Sequence, residues 1–468
     1  MNRKVENVKI AYIGGGSQGW AKRLMNDLAL EPRISGTVSL YDIYPEAARQ
    51  NAVIGNRVSA REEAVGKWIY EATGDIKEAL ADADFVIISI LPGSFDEMAS
   101  DVHTPEKYGI YQAVGDTVGP GGIIRSLRTI PIYKEIAENI KAYAPDAWVI
   151  NYTNPMTLCT RTLYEVFPEV KAFGCCHEVF EVQHLLADMV EEMTGTAVKQ
   201  RQDIKVNVIG INHFTWIDRA SYQQMDLLPM YREFVEKYAE SGYEKNPGDW
   251  EKSVFSSANR VKFDLFRRYG LIAAAGDRHL AEFMPPVYLE SPETIAEWKF
   301  HLTPVDFRKK DQKSKIEQNQ KVAAGEADFE LASSGEEGVA IIAALLGLEE
   351  LVTNVNMPNR GQIANLPHGA VVETNAVLRR DSVQPVLAGS LPADLLGIIG
   401  RHAANQEAVL QAALTENREL ALNAFINDPL VAPLGFGQAE ALFDEMIQNT
   451  KSHVGGGFVR DRNTYASS

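Results

Sequence analysis

The sequence predicts an α/β protein: an N-terminal domain built on a doubly wound parallel sheet, followed by an α+β domain. Three observations support this prediction. Short apolar runs alternate with helix-like segments over about the first 180 residues, a glycine-rich turn follows the first run, and longer strand-rich stretches begin after about residue 200. Since 468 residues are too many for one compact core, we expect two domains, over residues 1–200 and 201–468.

The elements of the first half alternate between strand and helix. VKIAYIGG and TVSLYD are typical of strands, with a helical WAKRLMNDLAL between them and a long helix from about Pro45 after them. DFVIISI is apolar throughout, as in a strand buried on both faces. A helix over 122–143, the strand AWVINYT, a helix around 156–167 and the strand VKAFGCC complete this half.

The second half has a different pattern. IKVNVIGINHFTWIDRASY is a long strand-rich stretch, and RKKDQKSKIEQNQKVAAGEADFE is polar enough for a solvated helix or an exposed excursion. VTNVNMPN and VVETNAVL suggest a second small sheet, and long helices follow towards the end of the chain. These segments predict the α+β domain.

The composition narrows the classes of function. A hydrophobic content of 45% and a charged content of 23% are typical of a soluble globular protein. The net charge of -17 argues against nucleic acid or an anionic membrane as a partner, because both require a basic surface. We find neither a signal peptide nor an apolar run long enough for a membrane span. Three cysteines make no disulfide framework, so we expect a reducing, cytoplasmic location.

The first turn carries a dinucleotide-binding pattern. IGGGSQG places Gly14, Gly16 and Gly19 in the Gly-x-Gly-x-x-Gly spacing between a strand and a helix, as in Rossmann domains. Such glycines permit a tight turn and close approach to a pyrophosphate, and the helix N-terminus attracts phosphate. Asp42 ends the next strand about 20 residues later, where an acid binds ribose hydroxyls and favours NAD over NADP. Further residues expected at the cofactor are Ser17, Gln18, Leu91 and Pro92.

Three unusual segments fall at the carboxyl ends of predicted strands, where open α/β sheets bind their ligands. They are SILPGS (89–94), NYTNPM (151–156) and GCCHE (174–178). In the last segment, Cys176 and His177 have three interpretations: metal ligands, nucleophile and base, or buried core residues. A vicinal Cys–Cys pair is not the Cys-x-x-Cys of a redox motif, so we set redox chemistry of the thiols aside.

His213, in GINHFTW, is the natural second partner for Cys176. A histidine at such a strand end is otherwise a hydrogen-bonded structural residue. A cysteine and a histidine with an open face suit a divalent metal whose other positions go to substrate or water. The softness of these two ligands alone indicates zinc or iron.

Five motifs together resemble glycoside hydrolase family 4, whose members depend on NAD. They are IGGGSQGW, GDTVGPGGIIRSLRTIP, NYTNPM, GCCHE and GINHFTW, and the resemblance covers nearly the whole chain. The Cys-His-Glu form of the fourth motif resembles the branch that acts on α-linked, unphosphorylated sugars. Within it, CCHEVF and AAGDRHLAEFMP are most similar to the α-galacturonidase type, whose substrate carries a C6 carboxylate. The resemblance also implies a homo-oligomer, dimer or tetramer, and a C-terminal domain similar to that of lactate and malate dehydrogenases.

The resemblance implies hydrolysis by oxidation, elimination, addition and reduction. NAD⁺ takes hydride from C3 of the sugar, the resulting ketone acidifies the C2 proton, and a base removes that proton as the glycosidic oxygen leaves. Water then adds at C1 and the hydride returns to C3, so NAD⁺ is regenerated. A metal bound to O2 and O3 polarises the C3 carbonyl, and the resemblance implies Mn²⁺ in place of zinc or iron.

Several residues match functional positions of the family. Cys176 and His213 match its metal ligands, and Asn154 matches a substrate-binding asparagine, although Asn-Pro pairs also form turns. His177 stands where phospho-sugar members carry an acidic general acid, so it either protonates the leaving oxygen or positions it. Asp116 is expected near the sugar hydroxyls or the metal.

The base that removes the C2 proton is predicted to be Asp277, with Tyr269 and His279 as alternatives. Asp277 and Arg278 would otherwise form a salt-bridged surface turn. Arg278 and His279 are candidates for binding the substrate carboxylate, since arginine binds carboxylates through two parallel hydrogen bonds. Arg125 is expected at the substrate or a cofactor phosphate, or as a charge on a helix surface.

The sequence therefore predicts an NAD- and Mn²⁺-dependent α-galacturonidase acting on a small α-linked uronide. An α-glucosidase or α-glucuronidase of the same family is one alternative. A 2-hydroxyacid dehydrogenase is another, because lactate and malate dehydrogenases share the nucleotide-binding fold and a Thr-Asn-Pro turn, but it would have no use for Cys176. A non-catalytic NAD-sensing or sugar-binding regulator is a third, and the intact pair of predicted metal ligands argues against it.

Overall fold

One mixed sheet of 13 strands runs through the computed structural model, which describes residues 4–459. The strands are β1 (Val5–Ile13), β2 (Ile34–Tyr41), β3 (Trp68–Thr73), β4 (Phe85–Ile88), β5 (Trp148–Asn151), β6 (Lys171–Gly174), β7 (Ile204–Ile211), β8 (Phe214–Tyr222), β9 (Met225–Asp226), β10 (Ile272–Ala273), β11 (Leu351–Pro358), β12 (Val371–Arg379) and β13 (Ser382–Pro385).

Helices cover this sheet. They are α1 (Trp20–Leu30), α2 (Pro45–Ser59), α3 (Ile76–Leu80), α4 (Phe95–His103), α5 (Gly119–Tyr143), α6 (Met156–Val166), α7 (Glu178–Thr194), α8 (Leu227–Tyr238), α9 (Asp249–Lys252), α10 (Arg260–Tyr269), α11 (Asp277–Phe283), α12 (Pro292–Glu297), α13 (Val305–Ala324), α14 (Gly338–Leu345), α15 (Ala393–Thr415), α16 (Arg418–Asn427) and α17 (Phe436–Asn449).

The first six strands are parallel and lie in the order β3-β2-β1-β4-β5-β6. This is the order of a doubly wound dinucleotide-binding domain, so the predicted fold class is confirmed. All four residues of β4 are buried, as expected for a strand covered on both faces. The predicted series of elements lacked β3, in which buried and exposed residues alternate at the edge of the sheet.

The second half adds antiparallel strands to the same sheet. β11 pairs with β6 where Asn356 lies opposite Gly174, and β12 and β7 continue outward from β11. The expectation of a separate small sheet for VTNVNMPN and VVETNAVL is therefore wrong. The physical reason is backbone hydrogen bonding, because β6 would otherwise be a buried edge with unpaired N–H and C=O groups.

Two segments that the sequence left open have defined structures. IKVNVIGINHFTWIDRASY forms the hairpin of β7 and β8, in which Ile211 pairs with Phe214 and only Asn212 and His213 form the turn. The polar RKKDQ segment is part of α13, which packs against α2 and α4 of the first half.

The hydrophobic core does not divide at residue 200. One cluster joins Ile10 and Val38 of the parallel strands to Ile342 of α14 and Leu378 of β12. Each such side chain contributes roughly 2 kcal/mol when fully buried. The two halves thus stabilise each other, and a boundary at 200/201 stays a prediction.

No helix within residues 4–459 combines the length and the apolar character that a membrane crossing needs.

Candidate active site

The loop after β1 brings its backbone against the neighbouring strands. Gly14 has a φ of +94°, and a Cβ there would lie 2.0 Å from the carbonyl oxygen of Ser89. A Cβ on Gly16 would lie 2.8 Å from Oδ2 of Asp42, which accepts a hydrogen bond from the Gly16 N–H. A Cβ on Gly19 would meet nothing within 4 Å, so the start of α1 faces open space. This loop fits a dinucleotide pyrophosphate, which needs exposed N–H groups and no side chains in the way.

Side chains hold this loop in place. The Ser17 hydroxyl accepts a hydrogen bond from the Trp20 N–H at 3.1 Å, and Gln18 Nε2 donates to the Gly16 carbonyl at 3.0 Å. Gln18 Oε1 in turn accepts from Asn319 Nδ2 at 2.7 Å. Asn319 is buried and belongs to α13, so the second half of the chain supports the predicted cofactor loop. This contact was not predictable, since Asn319 lies within a polar run of the sequence.

The other predicted cofactor residues follow β4. Leu91 is exposed, whereas Pro92 is buried and its carbonyl accepts a hydrogen bond from Arg128 Nε at 3.1 Å. Arg128 forms a buried ion pair with Asp101, in which Nη1 donates to Oδ1 at 3.0 Å. The ion pair thus anchors the turn that carries Leu91 and Pro92.

Asp116, His213 and His279 form a cluster beyond the carboxyl ends of β5 and β6. Their ligand atoms lie within 4.8 Å of one another. The two imidazole rings stack with centroids 3.8 Å apart, and Asp116 Oδ1 lies 3.9 Å from His213 Nδ1 and 4.0 Å from His279 Nε2. One oxygen and two imidazole nitrogens so close together fit a divalent cation such as Mn²⁺.

The turn between β7 and β8 fixes the His213 ring. His213 has a φ of +64°, a left-handed conformation that costs a non-glycine residue about 1 kcal/mol or more. The Thr117 hydroxyl donates to Asp116 Oδ1 at 2.7 Å, so it accepts from His213 Nδ1 at 2.8 Å. Nδ1 therefore carries the proton, and the lone pair of Nε2 is available to a metal.

The charges in the cluster also suit a cation. Burial raises the pKa of Asp116, but His213, His279 and Arg125 lower it more, to about 2. Burial and the neighbouring His279 lower the pKa of His213 to about 3. At neutral pH the cluster thus presents an anionic oxygen and a neutral imidazole, the forms in which these groups bind metals.

Glu178 stands behind His279. Its Oε1 lies 3.0 Å from His279 Nδ1, although the two groups are out of line for a regular hydrogen bond, and its Oε2 accepts from the Gly276 N–H. Burial lowers the pKa of His279, but the carboxylates of Glu178 and Asp116 raise it more, so the net shift is upward. GCCHE contained Glu178, but the sequence did not indicate its role.

Cys176 and His177 lie at the same edge of the sheet. Cys176 is buried, burial raises the pKa of its thiol, and its carbonyl accepts from Asn354 Nδ2 at 3.1 Å. It lies outside the cluster of Asp116 and the two histidines, so its role as a metal ligand stays a prediction. His177 is 44% exposed, and its ring lies 6.2 Å from that of Trp20 at the start of α1.

Asn154 and Arg125 bring unpaired polar atoms to the cluster. Asn154 Nδ2 donates to Asp116 Oδ2 at 3.2 Å, while its Oδ1 is buried without a partner among residues 4–459. Arg125 Nε donates to the Asn154 carbonyl at 3.2 Å, while no group in the described part of the chain accepts a hydrogen bond from its buried Nη1. Arg125 is only 5% exposed, so the alternative of a helix surface charge is wrong. Buried polar atoms without partners indicate a missing ligand or water.

Asp277 has a different environment from the one expected. Its carboxylate is fully buried and accepts hydrogen bonds from the Val261 and Lys262 N–H groups at 3.2 and 3.0 Å. It therefore caps the first turn of α10. The alternative of a salt-bridged surface turn is wrong, because neither Asp277 nor Arg278 lies at the surface.

Arg278 and Tyr269 are also engaged with the protein. Arg278 Nη2 donates to Thr303 Oγ1 at 2.6 Å and to the Ala113 carbonyl, and its Nε donates to the His301 carbonyl at 3.1 Å. The Tyr269 ring packs edge-on against Trp216, with centroids 5.5 Å apart. Most donors of Arg278 are thus used, and Tyr269 belongs to the packing around β8.

Two buried glutamates that the sequence analysis missed support the cluster. Glu282 accepts hydrogen bonds from the Val114 and Gly115 N–H groups and so positions the loop that carries Asp116. Glu373 accepts from Asn212 Nδ2 at 3.1 Å and from Asn354 Nδ2 at 2.6 Å. Burial raises the pKa of each acid to about 7. Glu373 could have been noticed in the sequence, because it is a charged residue within the otherwise uncharged strand segment VVETNAVL.

Comparison with known proteins agrees with these motifs. The family model "Family 4 glycosyl hydrolase" matches residues 9–192, and its C-terminal domain model matches residues 208–431. An α-galacturonidase of Thermoanaerobacter italicus is 57% identical over 97% of this chain and 98% of its own length. An α-galacturonidase of Bacillus subtilis is 59% identical over 95% of this chain and 98% of its own length.

Comparison with solved structures also finds proteins of this fold. The crystal structure of Bacillus subtilis lplD is 58% identical, has a TM-score of 0.91, and covers 94% of this chain and 100% of its own. A 6-phospho-α-glucosidase from gut microorganisms, solved with NAD and Mn²⁺, has the same fold at a TM-score of 0.78 and 21% identity over 96% of this chain and 99% of its own. The predicted family and the prediction of a glycosidase are confirmed. The chain belongs to family 4 of the glycosyl hydrolases.

Proposed function

We propose that this protein is an NAD- and Mn²⁺-dependent α-galacturonidase. The observation that carries the proposal is the cluster of Asp116, His213 and His279, with unpaired atoms of Asn154 and Arg125 beside it and the glycine loop on the same edge of the sheet. A simple dehydrogenase needs no cation site next to its nucleotide. The two α-galacturonidases that match nearly the whole chain support the choice of sugar.

Bound NAD⁺ supplies a hydride acceptor for C3 of the sugar, and bound Mn²⁺ supplies a Lewis acid for O2 and O3. Gly14 and Gly16 leave room for the pyrophosphate, and Asp42 lies where ribose hydroxyls are bound. We assign the cation to Asp116 and His213, together with Cys176 at the end of β6. Asp116 brings the negative charge and His213 the neutral nitrogen that such a site needs.

We assign the removal of the C2 proton to His279 in place of Asp277. Asp277 is engaged at the start of α10, whereas His279 Nε2 faces Asp116 and its Nδ1 faces Glu178. An imidazole with a carboxylate behind one nitrogen is oriented to accept a proton at the other. Tyr269 is less suitable, because its ring packs against Trp216.

The remaining residues orient the sugar. The unpaired Asn154 Oδ1 accepts from a sugar hydroxyl, and the unpaired Arg125 Nη1 donates to a sugar oxygen. His177 is exposed beside Trp20, in a position to protonate or hold the leaving oxygen as it departs towards solvent.

Hydrolysis of an aryl α-galacturonide tests the reaction. We expect aryl alcohol to be released only with NAD⁺, Mn²⁺ and a reductant, and without net formation of NADH, because the hydride returns to C3. Continuous accumulation of NADH would favour a dehydrogenase instead. The α-glucuronide and α-glucoside serve as comparison substrates, and preference for the neutral glucoside would contradict the uronide assignment.

Two neighbouring thiols give a matched test of the metal ligand. We expect Cys176→Ser to abolish hydrolysis and leave NAD⁺ binding intact, since the glycine loop does not involve Cys176. Cys175→Ser is the control and should retain activity, because Cys175 packs against the core beside the sheet. Full activity of Cys176→Ser would contradict its role as a ligand.

We also infer a cytoplasmic homo-oligomer. Cys159, Cys175 and Cys176 are all free, which suits a reducing compartment. Light scattering after gel filtration should give a mass that is a multiple of 51.8 kDa, and a mass of 51.8 kDa would contradict the oligomer.

A further inference from the structure

Arg308 is a cation near the candidate site that forms no ion pair with the residues the structure describes. It lies in the first turn of α13, and its Nε is buried without a hydrogen-bond partner. Burial lowers the pKa of Arg308, whereas the fields of Asp116 and Asp311 raise it, so the guanidinium lies within electrostatic reach of the cluster. The next residue differs, because Lys309 pairs at the surface with Asp96 at 2.5 Å.

Arg278 lies close to Arg308. The guanidinium carbons of Arg278 and Arg308 lie 5.4 and 5.0 Å from the centroid of the same Phe255 ring. Burial lowers the pKa of Arg278 to about 10, and the positive charge of Arg308 adds to this effect. Two like charges held together in a partly buried place are costly unless an anion joins them.

Within residues 4–459, side-chain hydrogen bonds engage Arg278 and not Arg308. Arg278 donates to Thr303 Oγ1 and to the Ala113 carbonyl, which ties the segment before α13 to the loop that carries Asp116. These acceptors are neutral, and the carboxylates of Glu282, Glu178 and Asp116 act on Arg278 only through their electrostatic fields. Arg308 has neither a neutral acceptor for its Nε nor an ion pair with a residue of the described chain.

We infer that Arg308 binds the C6 carboxylate of the substrate and thereby selects uronides over neutral sugars. This assignment replaces Arg278 as the direct contact and rests on the proposed function for the choice of sugar. Arg278 adds to the positive electrostatic potential at the carboxylate without contacting it. Phe255 is 47% exposed and its ring lies against both cations, so it offers an apolar surface on which the sugar ring can rest.

Calorimetric binding of D-galacturonate and D-galactose to the NAD⁺- and Mn²⁺-loaded protein tests the assignment without requiring catalysis. We expect the wild type to prefer galacturonate. Arg308→Gln should lower the affinity for galacturonate at least about 30-fold and change the affinity for galactose by less than about twofold. Lys309→Gln removes the adjacent, paired cation and should change neither affinity. Arg308→Lys keeps the charge but loses the two parallel donors, so its affinity for galacturonate should be intermediate.

Three outcomes would overturn the assignment: no preference in the wild type, unchanged galacturonate affinity in both Arg308 variants, or an equal loss for both sugars. Thermal unfolding and NAD⁺ affinity of each variant test whether its fold is intact. If Arg308→Gln does not fold, the galacturonate affinity of Arg308→Lys tests the assignment. Suppose that the wild type binds galacturonate through Arg308 and yet fails to cleave the aryl α-galacturonide. That result would contradict the proposed function but still support the assignment of Arg308.

Discussion

At the scale of residues, the stacked pair of His213 and His279 has two distinct roles in the proposed reaction. We predict that His213→Gln lowers Mn²⁺ affinity about 10- to 100-fold, whereas His279→Gln changes it by less than about threefold. Electron paramagnetic resonance of free Mn²⁺ measures both values. Exchange of the C2 proton of galacturonate with deuterium oxide should disappear in His279→Gln. Loss of Mn²⁺ binding in both variants would instead make His279 a ligand.

Glu373 gives a prediction about pH. Its pKa of about 7, against an ordinary value of 4.5, means that the folded protein favours the neutral acid. The stabilisation by this group is complete below pH 4.5 and is lost as the pH rises through 7, by at most about 3 kcal/mol.

We therefore expect Glu373→Gln, which cannot ionise, to lose less stability than the wild type between pH 5 and pH 8. Urea unfolding of the apo protein at the two pH values measures the difference. Glu350→Gln is a suitable control, because Glu350 has a side chain that is 71% exposed. A wild type and a Glu373→Gln variant with the same pH dependence would show that Glu373 is ionised in the fold.

The predictability of the site differs from residue to residue. Asp116, His213, Asn154 and Arg125 could be identified because they lie at strand ends or in distinctive loops. Arg308 could not be identified in this way, since nothing in the polar sequence of α13 distinguishes it from the lysines around it. Tertiary packing alone brings the start of α13 towards Asp116.

At the scale of elements, Asp277 should matter for the stability of α10. Asp277→Ala leaves the Val261 and Lys262 N–H groups without an acceptor in a buried place, and we predict a loss of about 2–4 kcal/mol in the free energy of unfolding. Denaturant titration measures it. Asp226→Ala removes the exposed cap of α8 and should cost only about 1 kcal/mol.

An activity measurement separates this role from catalysis. Asp277→Asn keeps an acceptor oxygen for the helix, so it should retain much of the hydrolytic activity. Full stability combined with complete loss of activity in Asp277→Asn would restore Asp277 as the base.

The elements themselves were largely predictable from local pattern. The helix WAKRLMNDLAL coincides with α1, and the helix expected over 122–143 begins three residues earlier, at Gly119. Strand partners were not predictable in the same way. Nothing local in VTNVNMPN indicates that it pairs with β6, because pairing between distant strands depends on which edge is left open.

At the scale of the whole molecule, the continuous sheet and shared core predict that the halves do not fold separately. Residues 1–200 alone would expose the face of the parallel strands that α14 and β12 cover, together with the edge of β6. We expect this fragment to be aggregated or without a cooperative thermal transition, and the full chain to unfold in one transition. Circular dichroism and calorimetry measure both. A fragment that melts cooperatively would support two independent domains.

One helix connects the two ligands of the proposed reaction. α13 carries Arg308 near its start and Asn319 near its end, about 16 Å apart at 1.5 Å per residue. Asn319 supports the glycine loop, and Arg308 is the residue that we assign to the sugar carboxylate, so a displacement of the helix would change both sites. Occupancy of the nucleotide loop should therefore tighten sugar binding, and sugar should tighten nucleotide binding by the same factor. Such mutual reinforcement would keep the nucleotide in place through successive turnovers, as a cofactor that is reoxidised in every cycle requires.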